Sequence, residues 1–314
     1  MARQGASGLR PWAAALGLAP EELPDRELGG EPVTVEGVAV VQQGSRPRGT
    51  FKERGAEVLA AFCARRGLSE VFLDSSGNAG LAVAAACAAR GIACRVLVPA
   101  STPADKLRRI EAAGGALEVV PGDRRAAAEA ADALRGRLPY ASHVYQPFFL
   151  AGVATLAWEL EEALGGRDGR LERVVVPSGN GSLLLGLALG FDALAGAGRI
   201  GSPPALHAVQ LAGYAALSPD GPGEAALGPP PAAGIAVADP PRREELLSRI
   251  AGTGGDVTVV TEAEIAAARQ ELAERHGLPT DPTGATAWAG LAKRPDLRRQ
   301  GPVVVLTSRE PGSA

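Results

Sequence analysis

The sequence predicts an α/β protein of two domains, each an open, mostly parallel twisted sheet with helices on both faces. Three observations carry this reading. Apolar, β-branched runs alternate with Ala-, Leu-, Glu- and Arg-rich stretches of helical period, the pattern of repeated strand–helix–strand units. The strands are short and nearly continuous in apolar residues, as at 174–176 and 303–306, which suits positions buried on both sheet faces. The 314 residues are about twice a common domain length and ample for a sizeable core.

The elements follow in order. Residues 51–66 read as a helix that precedes a strand at 70–74. Helix 78–90 precedes strand 93–99, helix 103–113 precedes strand 116–121, and helix 123–137 follows. Next come helix 148–164, strand 171–177, helix 181–195 and strand 205–211. A strand at 256–260 leads into a helix at 262–275, with Thr261 as N-cap and Glu264 at the third helical position, the spacing of a capping box. Helix 284–292 and strand 302–307 close the series. Residues 213–241 are rich in Gly, Pro and Ala and too long for a simple connection, so they read as a functional loop or a partly disordered one.

Composition narrows the class. Lys and Arg number 32 against 35 Asp and Glu, a net charge of −3. No basic excess exists to neutralise phosphates, so nucleic acid is excluded as a partner. The longest apolar run, 183–191, is interrupted by two glycines and stopped by Asp192, too short to span a bilayer, so no membrane role is expected. The stretch 12–19 imitates a signal peptide weakly and lacks a clean cleavage site, so the expected compartment is the cytoplasm. Three cysteines, Cys63, Cys87 and Cys94, make no disulfide framework, and Cys87 and Cys94, in apolar surroundings, read as buried reduced thiols.

Four features carry chemistry. Lysine is scarce: Lys52, Lys106 and Lys293 are the only ones, and the other 29 basic side chains are arginine. An amine can deprotonate and form a Schiff base, whereas a guanidinium cannot. Lys52 sits in Gly49-Thr50-Phe51-Lys52-Glu53-Arg54-Gly55, at a loop-to-helix start; taken alone it is an ordinary solvated lysine. The second feature is Asp74-Ser75-Ser76-Gly77-Asn78-Ala79-Gly80, which follows a strand and opens a helix. Free backbone N–H groups and the dipole at such a terminus attract anions. The third is Pro177-Ser178-Gly179-Asn180-Gly181-Ser182, again between a buried strand and a helix, where successive N–H groups can wrap a phosphate. It is neither a Walker loop nor a complete dinucleotide fingerprint. The fourth is Thr307, a hydroxyl at the carboxyl end of the last strand, where open α/β sheets bind ligands.

This order of lysine, Ser-Gly-Asn turn, Gly-rich anion loop and strand-end hydroxyl resembles the tryptophan-synthase-β family of pyridoxal-phosphate enzymes, the second fold type, over roughly residues 30 to 310. Within it the chain is most similar to threonine-synthase-like proteins. The motifs are Thr50-Phe51-Lys52-Glu53-Arg54-Gly55, Ser75-Ser76-Gly77-Asn78-Ala79-Gly80, Tyr140-Ala141-Ser142-His143, Pro147-Phe148-Phe149-Leu150-Ala151-Gly152, and Pro282-Thr283-Gly284-Ala285 with Thr155 earlier. The resemblance implies pyridoxal 5′-phosphate at the domain interface, a larger domain of residues 1–50 and 144–314, and a smaller one of 51–143. It implies that Lys52 is the catalytic residue, forming the Schiff base and later moving the α-proton. Asn78 would bond the ring hydroxyl of the cofactor, and Ser75, Ser76 and Ala79 would receive the substrate carboxylate. Ser178, Gly179, Asn180, Gly181 and Ser182 would hold the cofactor phosphate, and Thr307 would face the pyridine nitrogen. A hydroxyl there makes the ring a weaker electron sink than an acid does, which suits elimination and replacement. No metal is implied, and a homodimer is the expected assembly.

The departures are informative. The Asn-Pro-Thr-Gly of the family is here Arg46-Pro47-Arg48-Gly49, and its closing Thr-Gly-x-Gly is Thr307-Ser308-Arg309-Glu310. True threonine synthases hold the substrate phosphate with a Ser and an Arg at positions that are here Val144 and Phe149. Arg46 and Arg48 are the alternative anchors. The expected function is a pyridoxal-phosphate-dependent lyase or synthase performing β- or γ-elimination or replacement on a small amino acid. Its alternatives are a serine/threonine ammonia-lyase, an enzyme of β-replacement on an O-activated serine, and a non-catalytic ligand-binding homologue.

Overall fold

A computed structural model describes residues 8–44, 49–165, 171–224, 228 and 230–310. Arg46, Pro47 and Arg48 lie outside the described residues. The strands are β1 Val33–Val35, β2 Val38–Gln42, β3 Glu70–Leu73, β4 Ala93–Pro99, β5 Gly115–Val120, β6 Arg173–Pro177, β7 Ala205–Leu211, β8 Val257–Val260 and β9 Val303–Leu306. The helices are α1 Lys52–Arg65, α2 Asn78–Ala88, α3 Ala104–Ala112, α4 Arg124–Leu134, α5 Pro147–Leu160, α6 Ser182–Gly196, α7 Arg243–Gly252, α8 Glu262–Glu274, α9 Pro282–Ala292 and the single turn α10 Pro295–Arg298. Among the described residues no helix is long and apolar enough to cross a membrane.

The chain divides into two units. The larger comprises Arg26–Phe51 and the described residues from Val153 onward; the smaller comprises Leu9–Asp25 and Lys52–Gly152. The boundaries differ from those expected: Phe51 belongs to the larger unit, and two larger shifts occur. Leu9–Asp25 joins the smaller unit because Arg65 pairs with Glu22 and Arg90 donates to the Glu22 carbonyl at 2.9 Å. The later boundary falls at Gly152 rather than 143. A Cβ at Gly152 would sit 2.3 Å from the Arg54 carbonyl oxygen, so this end of α5 is pressed onto α1.

The larger unit carries a six-stranded sheet in the order β1-β2-β9-β6-β7-β8, parallel except for β1. β6, β7 and β8 step outward in one direction, and β9 returns to the other side of β6. The order therefore reverses between β6 and β9, which pair at Val174↔Val303 and Val175↔Val304. A crevice at such a reversal, outside the carboxyl ends of the strands, is where open α/β sheets take ligands. Trp288, Ala285 and Ala289 of α9 fill the core beside Val175, Val209 and Val304, and a Cβ at Gly290 would meet Val209 at 2.4 Å.

The smaller unit carries the parallel sheet β3-β4-β5. Its order also reverses, because Tyr140 returns to form a parallel bridge with Phe72 on the free side of β3. Tyr140 stacks on Phe72 with ring centroids 4.9 Å apart.

Both sheets fit the expected class, α/β with helices on both faces. The β1–β2 hairpin and α7 were not expected. The hairpin turns at Glu36 and Gly37, both in the left-handed region at φ 47° and 82°, as a tight two-residue turn requires. The expected helix to residue 164 ends at Leu160 and finishes in a π-helical turn, Glu161–Gly165. Cys63, Cys87 and Cys94 are buried and free, and burial pushes the Cys63 thiol up to about 11.

Candidate active site

In the larger unit, β6 ends at Pro177 and the chain turns through Ser178–Gly181 into α6. Ser178 is 1% exposed, and its hydroxyl has no hydrogen-bond partner. Such an orphan is costly unless something is bound to it. Its backbone is fixed: Ser178 N donates to the Val209 carbonyl at 2.9 Å, and Gln210 Nε2 donates to the Ser178 carbonyl at 3.3 Å. The glycines are there for space. A Cβ at Gly179 would lie 2.8 Å from Ile235 Cα, and one at Gly181 2.2 Å from Leu246 Cδ2. Gly181 is the N-cap of α6, at φ 79°, and no side chain caps this helix. The first N–H groups of a 15-residue helix are thus left to an anion. An unpartnered buried hydroxyl, a backbone cradle without Cβ atoms and an uncapped helix start fit a phosphate ester.

Thr307 follows β9 and is 4% exposed. Since β9 neighbours β6, Thr307 and Ser178 stand at the ends of adjacent strands. The Thr307 carbonyl accepts from Phe51 N at 3.0 Å, and Thr50 bridges Ser308. The segment leading into Lys52 is therefore tied to the end of β9. Ser308, the departure from the family pattern, has a structural job: its Oγ lies 2.9 Å from Thr280 Oγ1 and accepts from Asp281 N at 3.1 Å. Asp281 in turn caps α9 through Gly284 N at 2.7 Å.

The loop 213–241 contributes directly where it is described. Gly234 and Ile235 back onto Gly179, and a Cβ at Gly234 would be 2.9 Å from Thr283 Oγ1. Leu217 N is held by Gln210 Oε1 at 2.8 Å. Where it is described, the loop packs behind the Ser178–Gly181 turn.

In the smaller unit, Lys52 is the first residue of α1 and half-buried. β3 ends at Leu73, and Asp74-Ser75-Ser76-Gly77 leads into α2 at Asn78. Ser75 and Ala79 are buried, Ser76 and Asn78 half-buried. Gly77 N donates to Ser75 Oγ at 3.4 Å, and no side chain caps α2. A Cβ at Gly80 would be 1.9 Å from the Ser75 carbonyl oxygen, so only glycine lets the turn close. This turn follows β3, at the reversal of the smaller sheet.

Two groups here were not assigned a role from the sequence. His143 is buried, its ring edge-on to Phe149 at 6.0 Å. Burial, then the charges of Lys52 and Arg124, lower its pKa to about 3, so it is a neutral imidazole. Asp74 accepts from the Tyr140 hydroxyl, and burial raises its pKa. The strand-end position of Asp74, one residue before the turn, was the available signal.

A cleft of about 860 Å³ in the larger unit lies elsewhere, at the amino ends of β6 to β8. Its charges close on each other: His207 Nδ1 meets Asp256 at 2.7 Å and Asp256 meets Arg294 at 2.6 Å. Ligand chemistry in parallel sheets belongs to the other strand ends, and it is there that the anion-accepting turns lie.

Each of the two sheets has an uncapped helix start beyond a strand end, and in the smaller unit Lys52 opens α1. Residues 30–308 match the family described as pyridoxal-phosphate dependent enzyme, and the chain belongs to that family. Threonine synthase of Methanosarcina acetivorans is 28% identical over 296 residues, covering 88% of this chain and 71% of its own length. The biosynthetic L-threonine dehydratase of Mycobacterium leprae is 30% identical over 276 residues, 82% of this chain and 61% of its own. Maize serine racemase superposes with a TM-score of 0.70 at 18% identity, over 88% of this chain and 84% of that one.

Proposed function

We propose that this chain is a pyridoxal-phosphate-dependent lyase or synthase that eliminates or replaces a β- or γ-substituent of a small, unphosphorylated amino acid. The carrying observation is the Ser178–Ser182 turn, with its unpartnered buried hydroxyl and its cradle that admits no Cβ. It supports a bound phosphate ester, and family membership names the ester.

Pyridoxal phosphate, when bound, supplies an electron sink for the carbanion left by α-proton removal. The residues do the rest. Lys52 would hold the cofactor through its amine and later move the α-proton. Ser178, Ser182 and the backbone N–H groups of 178–182 would hold the phosphate. Asn78 would bond the ring hydroxyl, and Thr307 would offer the ring nitrogen a hydroxyl rather than an acid. Ser75, Ser76 and Ala79 receive the substrate carboxylate at the start of α2. The threonine synthases and threonine dehydratases among the relatives support replacement and elimination alike; ammonia and keto acid released without an added nucleophile mark the lyase. Retention of the amine at Lys52 favours an enzyme over a binding homologue, and a homodimer is the proposed assembly.

The test is the visible spectrum of protein loaded with pyridoxal phosphate, followed on adding single amino acids. The wild type should show a cofactor band that shifts with substrate. Lys52→Ala should lose both the covalent band and turnover, and a variant turning over at the wild-type rate refutes the assignment.

A further inference from the structure

A carboxylate stands one residue before a turn assigned to receive another carboxylate. Asp74 directly precedes Ser75, and two like charges so close together disfavour each other. The surroundings of Asp74 answer this problem. The Tyr140 phenol donates to Asp74 Oδ1. Burial raises the Tyr140 pKa, so the phenol keeps its proton and remains the donor. The donor is also rigidly placed. Phe72 N bonds the Pro139 carbonyl at 3.0 Å, and Ala141 N bonds the Phe72 carbonyl at 2.7 Å, on either side of Tyr140. Gln146 Nε2 holds the Tyr140 carbonyl at 2.6 Å. Behind the ring, the Arg135 guanidinium lies 4.7 Å from the Tyr140 centroid and 4.7 Å from that of Tyr145, a cation held by two aromatic faces.

We propose that Tyr140 is a positioning residue which, through its bond to Asp74, turns that carboxylate's charge away from the Ser75–Asn78 turn and so sets its affinity for the substrate carboxylate. The inference rests on the proposed carboxylate role of the turn. It explains why an acid is tolerated there and why so rigid a set of contacts serves one phenol. Substrate binding would tighten without any direct contact between Tyr140 and the substrate.

The bland alternative is that the pair only ties Tyr140 to β3, and a charge experiment separates the two. The holoenzyme is titrated with L-serine, and separately with ethanolamine, which is serine without its carboxylate, following the visible band. Tyr140→Phe should raise the Kd for L-serine about fivefold or more while leaving the Kd for ethanolamine and the cofactor band unchanged. Adding Asp74→Asn to Tyr140→Phe removes the charge and should restore L-serine binding. An unchanged Kd in Tyr140→Phe, an equal loss for both ligands, or no rescue by Asp74→Asn overturns the proposal. Ser75→Ala keeps the underlying reading separable. If it weakens L-serine while Tyr140→Phe does not, only the proposal fails; if it leaves L-serine unaffected, the carboxylate role of the turn fails, and the proposal with it.

Discussion

At the scale of single residues, His143 shows how environment rather than residue type decides behaviour. Its pKa of about 3 lies well below the ordinary 6.5, chiefly through burial and then through the charges of Lys52 and Arg124. A group whose folded pKa is depressed in this way is neutral in the native state while the unfolded chain takes up a proton below about pH 6.5. The unfolded state then binds more protons, so His143 withdraws stability as pH falls from about 6.5 towards 3, at up to about 1.4 kcal/mol per pH unit. Carboxylates add their own acid slope, so the check is a difference. Denaturant unfolding of wild type and His143→Asn between pH 7 and 4 should show a shallower loss in the variant, and equal slopes would reject the assignment. Much at this scale was legible in the sequence. Scarcity of lysine singled out Lys52, and strand–turn–helix context singled out Ser75–Asn78 and Ser178–Ser182. Tyr140 and Asp74 were not paired, because 66 residues of chain separate them and only the return of Tyr140 to the free side of β3 brings them together.

At the scale of elements, local rules were read well and long-range ones poorly. The Thr261 capping box formed, with Glu264 Oε2 accepting from Thr261 N at 2.7 Å, because its partners lie three residues apart. The β1–β2 hairpin was missed although Val residues alternate on both sides of Glu36-Gly37, a signal that a three-residue β1 makes faint. α7 was missed because it follows a Gly/Pro-rich loop; only two of its residues, Leu246 and Ile250, are buried, a stripe too thin to stand out. Leu246 is also what Gly181 abuts, so α7 packs against the turn proposed to hold the phosphate. Two glycines of α6 make opposite predictions. Gly181→Ala puts a Cβ at φ 79° and 2.2 Å from Leu246, costing about 1–3 kcal/mol and weakening pyridoxal-phosphate binding. Gly196→Ala, at the far end with nothing within 4 Å of its Cβ, should gain about 0.5–1 kcal/mol and leave cofactor affinity alone. Thermal unfolding with and without pyridoxal phosphate checks both; equal behaviour of the two variants would remove the cradle's special role.

At the scale of the whole chain, one topological feature recurs in both units. Each sheet reverses its strand order once, and at each reversal a helix starts without a side-chain cap: α6 after Ser178–Gly181 in one, α2 after Ser75–Gly77 in the other. The positions that the resemblance to threonine synthases assigns to phosphate binding hold apolar residues here. Phe149 is fully buried, and a Cβ on Gly55 would sit 2.5 Å from its ring, so the position that is arginine in phosphate-binding relatives is here packed core against α1. Val144, at the serine position, is 8% exposed. Losing a charge-assisted pair costs about 1.5–3 kcal/mol, or about tenfold to hundredfold in affinity. Serine, threonine, homoserine or O-acetylserine should therefore exceed O-phosphohomoserine in kcat/KM when compared at equal concentration. Arg46, Arg48 and the exposed Arg124 are the cations that can reverse this order. Should O-phosphohomoserine prove the best substrate, and Arg46→Ala, Arg48→Ala or Arg124→Ala abolish that preference, the phosphate has found a new anchor and the unphosphorylated substrate is ruled out.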